Sequence, residues 1–375
     1  MNQPRRSDIL TMRSALALAR RAYGATSPNP MVGAVLVKNG KVIGRGWHHR
    51  AGEPHAEIEA LRDAQAKGNN PQGSTLYVTL EPCCTYGRTP PCTEAIIAAR
   101  IKKVVVAATD PNPGHRGKAF RLLRRKGIKV VSGVLAAEAA ILNEAFNHWI
   151  VQRTPLVTVK AAMTLDGKIA TASGESKWIT GAKARAYGMT LRQGADAILV
   201  GINTVLADDS SLTVRQAKAA KRQAQKPIRR IILDSRGRTP LSAKVVSDKF
   251  REYTTIVVGK SAPKARVAAL AKRVKVWVAP ERRGKIDLRW LMKKLGAEQV
   301  TSLLVEGGGE VNASFLLGGL AQRVAFFYAP KILGGRDARK GVAGDGVQRV
   351  AEMIKLHDVA WRRLGTDLLL TGRVL

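Results

Sequence analysis

At 375 residues the chain is too long for one ordinary core, and with 45% hydrophobic residues it has apolar material for two. Its three cysteines, two of them adjacent, exclude a disulfide framework, and no apolar run is long enough to span a membrane, so a reducing, cytoplasmic setting is expected. The formal net charge of +35 favours anionic partners; with only 5% aromatics for base stacking, these are expected to be phosphorylated small molecules and not nucleic acid.

In chain order, Asp8 to Tyr23 patterns as an amphipathic helix and lacks the apolar core of a signal peptide. Ser27-Pro28-Asn29-Pro30 precedes the alternating strand Met31 to Lys38. Asn39-Gly40 is a two-residue hairpin signal that returns the chain along Lys41 to Trp47. A helix is predicted from His55 to Ala66 and a strand from Ser74 to Leu80, followed by a helix from Thr93 to Arg100 and a strand from Val104 to Ala108. The helix Lys118 to Lys126, the strand Ile128 to Ser132 and the helix Ala136 to Trp149 complete the alternation, which predicts an α/β layered sheet.

Chemistry concentrates between His55 and Cys92, in HAEIEA and EPCCTYGRTPPC. One imidazole (His55) and two thiolates (Cys83, Cys92) suit Zn²⁺ in tetrahedral geometry, and three protein ligands leave a fourth position for water, as in a catalytic site. Glu57, on the same turn as His55, is placed to exchange protons with that water. The H-x-E and P-C…C pattern is that of the zinc deaminases. Adjacent cysteines point in different directions, so Cys84 reads as a packing or site-lining residue. His48, His49 and His115 read as loop or substrate-side residues.

Asn147 to Pro155 reads as a linker, dividing the chain into domains 1–148 and 149–375. Beyond it, Leu156 to Ala161 is a predicted strand, Ala182 to Gln193 a helix, Ala195 to Gly201 a strand, and Asp208 to Arg215 a polar loop. Residues 216–226 are basic and read as a solvated insertion. Strands are predicted at Ile228 to Asp234, Thr254 to Val258 and Leu303 to Val305, the last running through Glu306-Gly307-Gly308-Gly309 into a helix. Glycines at a strand-to-helix turn let backbone amides approach a pyrophosphate, although G-x-G-x-x-G is absent. The tail Asp367 to Leu375 reads as a closing strand.

HAEIEA with EPCCTYGRTPPC, preceded by SPNPMVGAVLV and followed by TDPNPG, resembles the bifunctional deaminase/reductase family of riboflavin biosynthesis. KAAMTLDGKIA, SGESKWIT, ADDSSLTVR and LLVEGGGEVNASF resemble its reductase half, so the likeness spans nearly the whole chain. It implies a cytidine-deaminase-like α/β domain followed by a dihydrofolate-reductase-like α/β domain. It also implies zinc on His55, Cys83 and Cys92 with Glu57 as proton donor. NADPH would contact Ala162, Trp178, Thr204, Asp208, Ser235 and the turn Gly308, Gly309, Glu310, Val311, Asn312, Ala313, Ser314. A ribosyl phosphate substrate would contact Ser176, Arg192, Leu212, Arg215 and Glu306, with Lys160 near the reacting ribose. A homo-oligomer is expected. The rival readings, a zinc deaminase of RNA bases and a zinc-stabilised nucleic-acid-binding module, account for the charge but leave the second-half motifs without a role.

Overall fold

The structure, a computed structural model, describes residues 5–86, 90–214 and 227–374. The chain divides into two compact units, Met1–Arg153 and Thr154–Leu375.

The first unit carries helix α1 (Arg6–Arg20), strands β1 (Gly33–Lys38) and β2 (Lys41–Trp47), helix α2 (Ala56–Ala66) and strand β3 (Thr75–Leu80). Helix α3 (Cys92–Ala98), strand β4 (Lys103–Ala108), helix α4 (Lys118–Arg125), strand β5 (Lys129–Ser132) and helices α5 (Ala136–Leu142) and α6 (Glu144–Gln152) follow. The five strands lie in the order β2-β1-β3-β4-β5, with β1 antiparallel to both neighbours and β3, β4 and β5 parallel. Asn39 and Gly40 both take positive φ (50° and 74°), the two-residue turn whose twist matches the hairpin. Apolar side chains bury both faces of the sheet, one under α2, α3 and α4 and the other under α1 and α5.

The seating of α2 fixes the site. Ala56, Ala60 and Ala64 form its fully buried stripe, and they meet Gly44 and Gly46 of β2, where an added Cβ would run into the Ala60 backbone. Small residues on both sides let the helix lie directly on the strand, so its N-terminus has little freedom. The stretch predicted as linker is helical as far as Gln152. Trp149 and Ile150 are 8% and 9% exposed, so burial extends the helix and the unit ends at Arg153 instead of 148.

The second unit contains β6 (Leu156–Thr164), β7 (Lys168–Ala170), α7 (Ala182–Gln193), β8 (Ala197–Gly201), α8 (Ile202–Asp208) and β9 (Arg229–Leu233). It continues with α9 (Lys244–Ser247), β10 (Thr254–Gly259), α10 (Lys264–Ala271), β11 (Lys275–Ala279) and the small ladder β12 (Glu281–Arg282) and β13 (Lys285–Ile286). Then come α11 (Leu288–Ala297), β14 (Ser302–Val305), α12 (Gly309–Leu316), β15 (Arg323–Ala329), β16 (Arg339–Lys340), β17 (Leu356–Leu364) and β18 (Asp367–Val374). Nine of these strands form one sheet ordered β11-β10-β9-β8-β14-β6-β15-β18-β17. It is parallel from β11 to β15 and closes with an antiparallel hairpin, of which the sequence reading found only β18. Every residue of β8 and of β10 is buried, as a parallel strand covered on both faces requires. Residues 215–226, which include Arg215 and the basic insertion, lie outside the described residues.

Candidate active sites

In the first unit His55 is the extended residue immediately before α2, and Glu57 occupies that helix's first turn, 3% exposed. Cys83 follows the end of β3, and Cys92 is the fully buried first residue of α3. His55 Nδ1 is 3.2 Å from Cys92 Sγ and 3.4 Å from Cys83 Sγ, while the Cys92 backbone N–H donates to Cys83 Sγ at 3.2 Å. The three ligand atoms lie within 4.8 Å of one another. Zn–S bonds of about 2.3 Å and Zn–N bonds of about 2.0 Å set neighbouring tetrahedral ligands roughly 3.5 Å apart, so the donor set and its spacing fit zinc. Glu57 stands outside this triangle.

The electrostatics separate the groups. Burial pushes the Glu57 carboxyl up to about 7, and the Cys83 sulfur adds to the effect while His55 opposes it. Hydrogen bonding with Cys92 holds the Cys83 thiol down to about 4 against its burial, with His55 helping. Cys92 moves upward because it shares its proton with Cys83 and is buried. The two sulfurs are thus driven in opposite directions, and Cys83 is favoured as the thiolate, the form in which a sulfur ligates a metal.

Cys84 is half-buried and lies outside the metal triangle; burial raises its thiol. His48 lies in the loop just after β2, as expected, but it is buried there (2% exposed) and meets the His55 ring edge-on at 5.3 Å. Its Nδ1 contacts the Pro54 carbonyl and its Nε2 the Asn29 carboxamide, each at 3.1 Å. With Nδ1 donating to that carbonyl, Nε2 accepts from Asn29 Nδ2, which brings the SPNP turn to the wall of the site. The sequence reading passed over Asn29, whose only signal was its place between two prolines. His49 stacks on Trp47 at 4.3 Å between ring centroids, and His115 Nε2 lies 3.5 Å from Thr85 Oγ1. Glu81, also passed over, is buried and accepts backbone N–H groups from Asp110, Gly117 and Ala119, tying the TDPNPG loop to the strand that leads to Cys83.

The second unit holds a cavity of about 2230 Å³. Ligand pockets for one small molecule run to about 1,000 Å³, so this one has room for a dinucleotide and a substrate together. Ala162, Trp178, Thr204, Asp208, Ser235, Gly308, Gly309, Glu310, Val311 and Ser314 all line it, as do Ser176, Arg192, Leu212, Glu306 and Lys160. Asn312 and Ala313 do not. Asn312 is fully buried and donates through Nδ2 to the Gly341 carbonyl at 2.8 Å, and Ala313 faces the core. The helical period turns these two inward while their neighbours face the cavity.

The glycine turn before α12 fits a phosphate group. A Cβ at Gly307 would collide with Val311 and one at Gly309 with the Lys340 carbonyl, but Gly308 opens onto empty space. Gly308 caps the helix with no side-chain bond to its first amides, which leaves these donors and the positive helix end for an anion. Trp178 is 66% exposed, and the Arg185 guanidinium lies 4.6 Å over its ring.

Directly before the glycine turn, Glu306, its side chain 11% exposed, receives Arg192 Nε at 2.8 Å and Nη2 at 3.0 Å. Lys160 Nζ is 3.5 Å from the same carboxylate. Burial works to raise the Glu306 carboxyl, but Lys160 and Arg192 together outweigh it and hold it at about 2. Arg192, expected to contact the ribosyl phosphate substrate, thus has its fork engaged by a carboxylate. Nη1 also donates to the Thr213 carbonyl at 3.0 Å, so among the described residues two of its five N–H groups are left for a ligand.

Residues 5–108 match the family model of the cytidine and deoxycytidylate deaminase zinc-binding region, and residues 155–370 that of the RibD C-terminal domain. The riboflavin biosynthesis protein RibD of Aquifex aeolicus is 45% identical over 361 residues, which cover 96% of this chain and 96% of that protein. The structure of Acinetobacter baumannii RibD superposes with a TM-score of 0.87 at 37% identity, covering 98% of this chain and 99% of the other. A Thermotoga maritima structure described as a diaminohydroxyphosphoribosylaminopyrimidine deaminase/5-amino-6-(5-phosphoribosylamino)uracil reductase gives 0.82 at 34% identity, with 98% and 99% covered. With likeness of this extent over both units, the chain belongs to the RibD family of bifunctional riboflavin-biosynthesis enzymes, which join a zinc-binding deaminase domain to a reductase domain.

Proposed function

We propose that the first unit hydrolytically deaminates a diaminopyrimidinone ribosylamine 5′-phosphate and that the second reduces its ribosyl group to a ribityl chain. His55, Cys83 and Cys92 would hold zinc, and Glu57 would carry the protons. When bound, zinc supplies Lewis-acid activation of a water molecule near neutral pH. Glu57 accepts that water's proton on a carboxylate oxygen and returns it to the ring nitrogen and the departing ammonia; a carboxyl near neutrality serves both directions. His48 and Asn29 form the wall against which the ring would lie.

In the second unit Ala162, Trp178, Thr204, Asp208, Ser235 and the Gly308–Glu310 turn would hold NADPH, which supplies the hydride delivered at C1′ of the ring-opened sugar. Ser176, Arg192, Leu212, Arg215 and Glu306 would hold the ribosyl phosphate. Glu306, kept anionic by Arg192 and Lys160, orients those two cations towards the substrate. The observation that carries the reading is the buried carboxyl of Glu57 beside a His/Cys/Cys triangle, in a chain whose other unit holds a cavity large enough for two ligands. The reading extends to a homo-oligomer acting in the cytoplasm; no described helix is long and apolar enough to cross a membrane.

The test is one assay of the diamino substrate with and without NADPH, on wild type and Glu57→Ala. The variant is expected to lose ammonia release while still reducing the deaminated intermediate. Parallel loss of both activities in a folded variant counts against two independent sites.

A further inference from the structure

Arg230, on β9, is the largest fully buried side chain among the described residues. All five of its N–H groups are engaged. Nε donates to Thr254 Oγ1 at 2.8 Å, Nη1 to Asp248 Oδ2 at 2.7 Å and Nη2 to Asp248 Oδ1 at 2.8 Å. Nη2 also reaches the Val245 carbonyl at 3.2 Å, and Nη1 the Ser211 carbonyl at 3.0 Å. A buried ion pair of this kind adds little or no stability over packed apolar side chains. Stability alone therefore gives no reason for a guanidinium here, and its fifth bond supplies one.

Ser211 belongs to the loop Asp208–Thr213, whose first residues line the cavity. The loop is strained: Asp209 and Leu212, neither of them glycine, take φ of 40° and 50°. Such a conformation persists only where surrounding bonds over-determine it. Three tethers do so. Arg230 holds the Ser211 carbonyl, Arg192 holds the Thr213 carbonyl at 3.0 Å, and the backbone N–H of Lys244 donates to Asp209 Oδ1 at 2.8 Å. Arg192 already touches the proposed substrate site, and the Asp209 tether is exposed. Arg230 is the tether that works from the core, through Val245 of α9 and Asp248 at that helix's C-terminal end.

We propose that Arg230 is a positioning residue for the reductase: its guanidinium fixes the Ser211 carbonyl and thereby sets the strained loop that presents Leu212 to the ribosyl phosphate and leads, in sequence, to Arg215. This rests on the reading of those two residues as substrate contacts. Arg230→Lys keeps the charge but cannot span Thr254, Asp248 and Ser211 together. It is expected to raise the reductase KM for the deaminated substrate about tenfold or more, with kcat, the NADPH dissociation constant and the deaminase rate near wild type.

Three further variants of the full chain complete the test. Asp248→Asn keeps the shape and weakens the grip, so it should raise the same KM several-fold, and it stands in if Arg230→Lys does not fold. Thr254→Val removes a core bond without touching the Ser211 arm and should lower Tm with KM unchanged. Arg215→Ala probes the substrate contact directly and should raise KM. The proposal is overturned if the Arg230 and Asp248 variants keep the wild-type KM while Arg215→Ala raises it. It is equally overturned if Thr254→Val raises KM as much as they do, or if KM and the NADPH constant rise together. Should Arg215→Ala also leave KM unchanged, the reading of the loop fails, and the proposal with it.

Discussion

Each unit buries one glutamate at its candidate site, and the two are pushed in opposite directions. Glu57 sits among two sulfurs and an imidazole; burial dominates, and its carboxyl rises to about 7. Glu306 is nearly as enclosed, yet Lys160 and the Arg192 fork overcome its burial and hold it at about 2. The difference lies in the neighbours. A carboxyl poised near neutrality can take up and give back a proton within one turnover, which is what hydrolytic loss of ammonia requires. A carboxylate locked as an anion exchanges no protons near neutral pH, but it is a fixed charge that arranges cations, which suits a reaction whose hydride comes from a cofactor. Deamination and reduction thus use the same residue type in two electrostatic settings.

Removing the metal is the strongest way to separate the two halves. Dialysis against a chelator is expected to abolish ammonia release and leave NADPH oxidation on the deaminated substrate intact, because the only His/Cys cluster of metal-ligand spacing among the described residues lies in the first unit. Metal analysis should report loss of one zinc per chain in step with the activity, and readdition should restore both.

Replacing Glu57 by Gln comes next. With shape kept and proton exchange lost, kcat for deamination should fall about 10²–10⁴-fold with zinc content unchanged. The matching change at Glu306 should act differently. Glu306→Gln leaves Arg192 and Lys160 without their shared anion, so steady-state kinetics should show a higher substrate KM as those cations lose their arrangement, without a comparable effect on ammonia release. If Glu306→Gln instead mimics a lost acid–base group, with a limb of the wild-type pH–rate profile removed, the contrast between the two carboxyls is wrong.

Arg192→Met tests the fixed charge from the other side. Glu306 then keeps only Lys160, at 3.5 Å, and a buried charge robbed of its better partner costs about 3 kcal/mol. Urea unfolding should show that loss in the transition of the second unit, with the first unit's transition unmoved.

The residues that the sequence made legible are those whose chemistry is carried by local spacing. His55 and Glu57 share one helix start, and Cys83 and Cys92 flank one strand-to-helix connection, so residue type and short-range pattern single them out as candidates, and the fold brings His55, Cys83 and Cys92 together. The glycine turn at Gly307–Gly309 could be read the same way, although helical phase then turned Asn312 and Ala313 away from the cavity. What pattern could not supply were partnerships over long separations. Arg192 meets Glu306 only because α7 and the end of β14 converge, so that its fork is engaged by a carboxylate. Glu81, Asn29 and Arg230 carry no local signature, since each acts through backbone groups or rings that the fold brings to it. The domain limit slipped from 148 to 153 because a polar-looking stretch buried Trp149 and Ile150.

The smallest effect is absent at neutral pH and appears only in acid. The carboxyl of Glu306 is depressed in the folded chain from an ordinary 4.5 to about 2. Its pairing therefore contributes fully above the unfolded value and is lost as pH falls from about 4.5 towards about 2, where the folded chain too takes up the proton. The second unit should lose stability across that window, and Glu306→Gln should flatten the slope there. Arg192→Met should shift the loss to higher pH, because a carboxylate with one cation fewer is protonated sooner. Thermal unfolding of the three proteins at stepped pH gives the comparison. An identical acid slope in wild type and Glu306→Gln means that the charge of Glu306 is not what Arg192 and Lys160 hold in place.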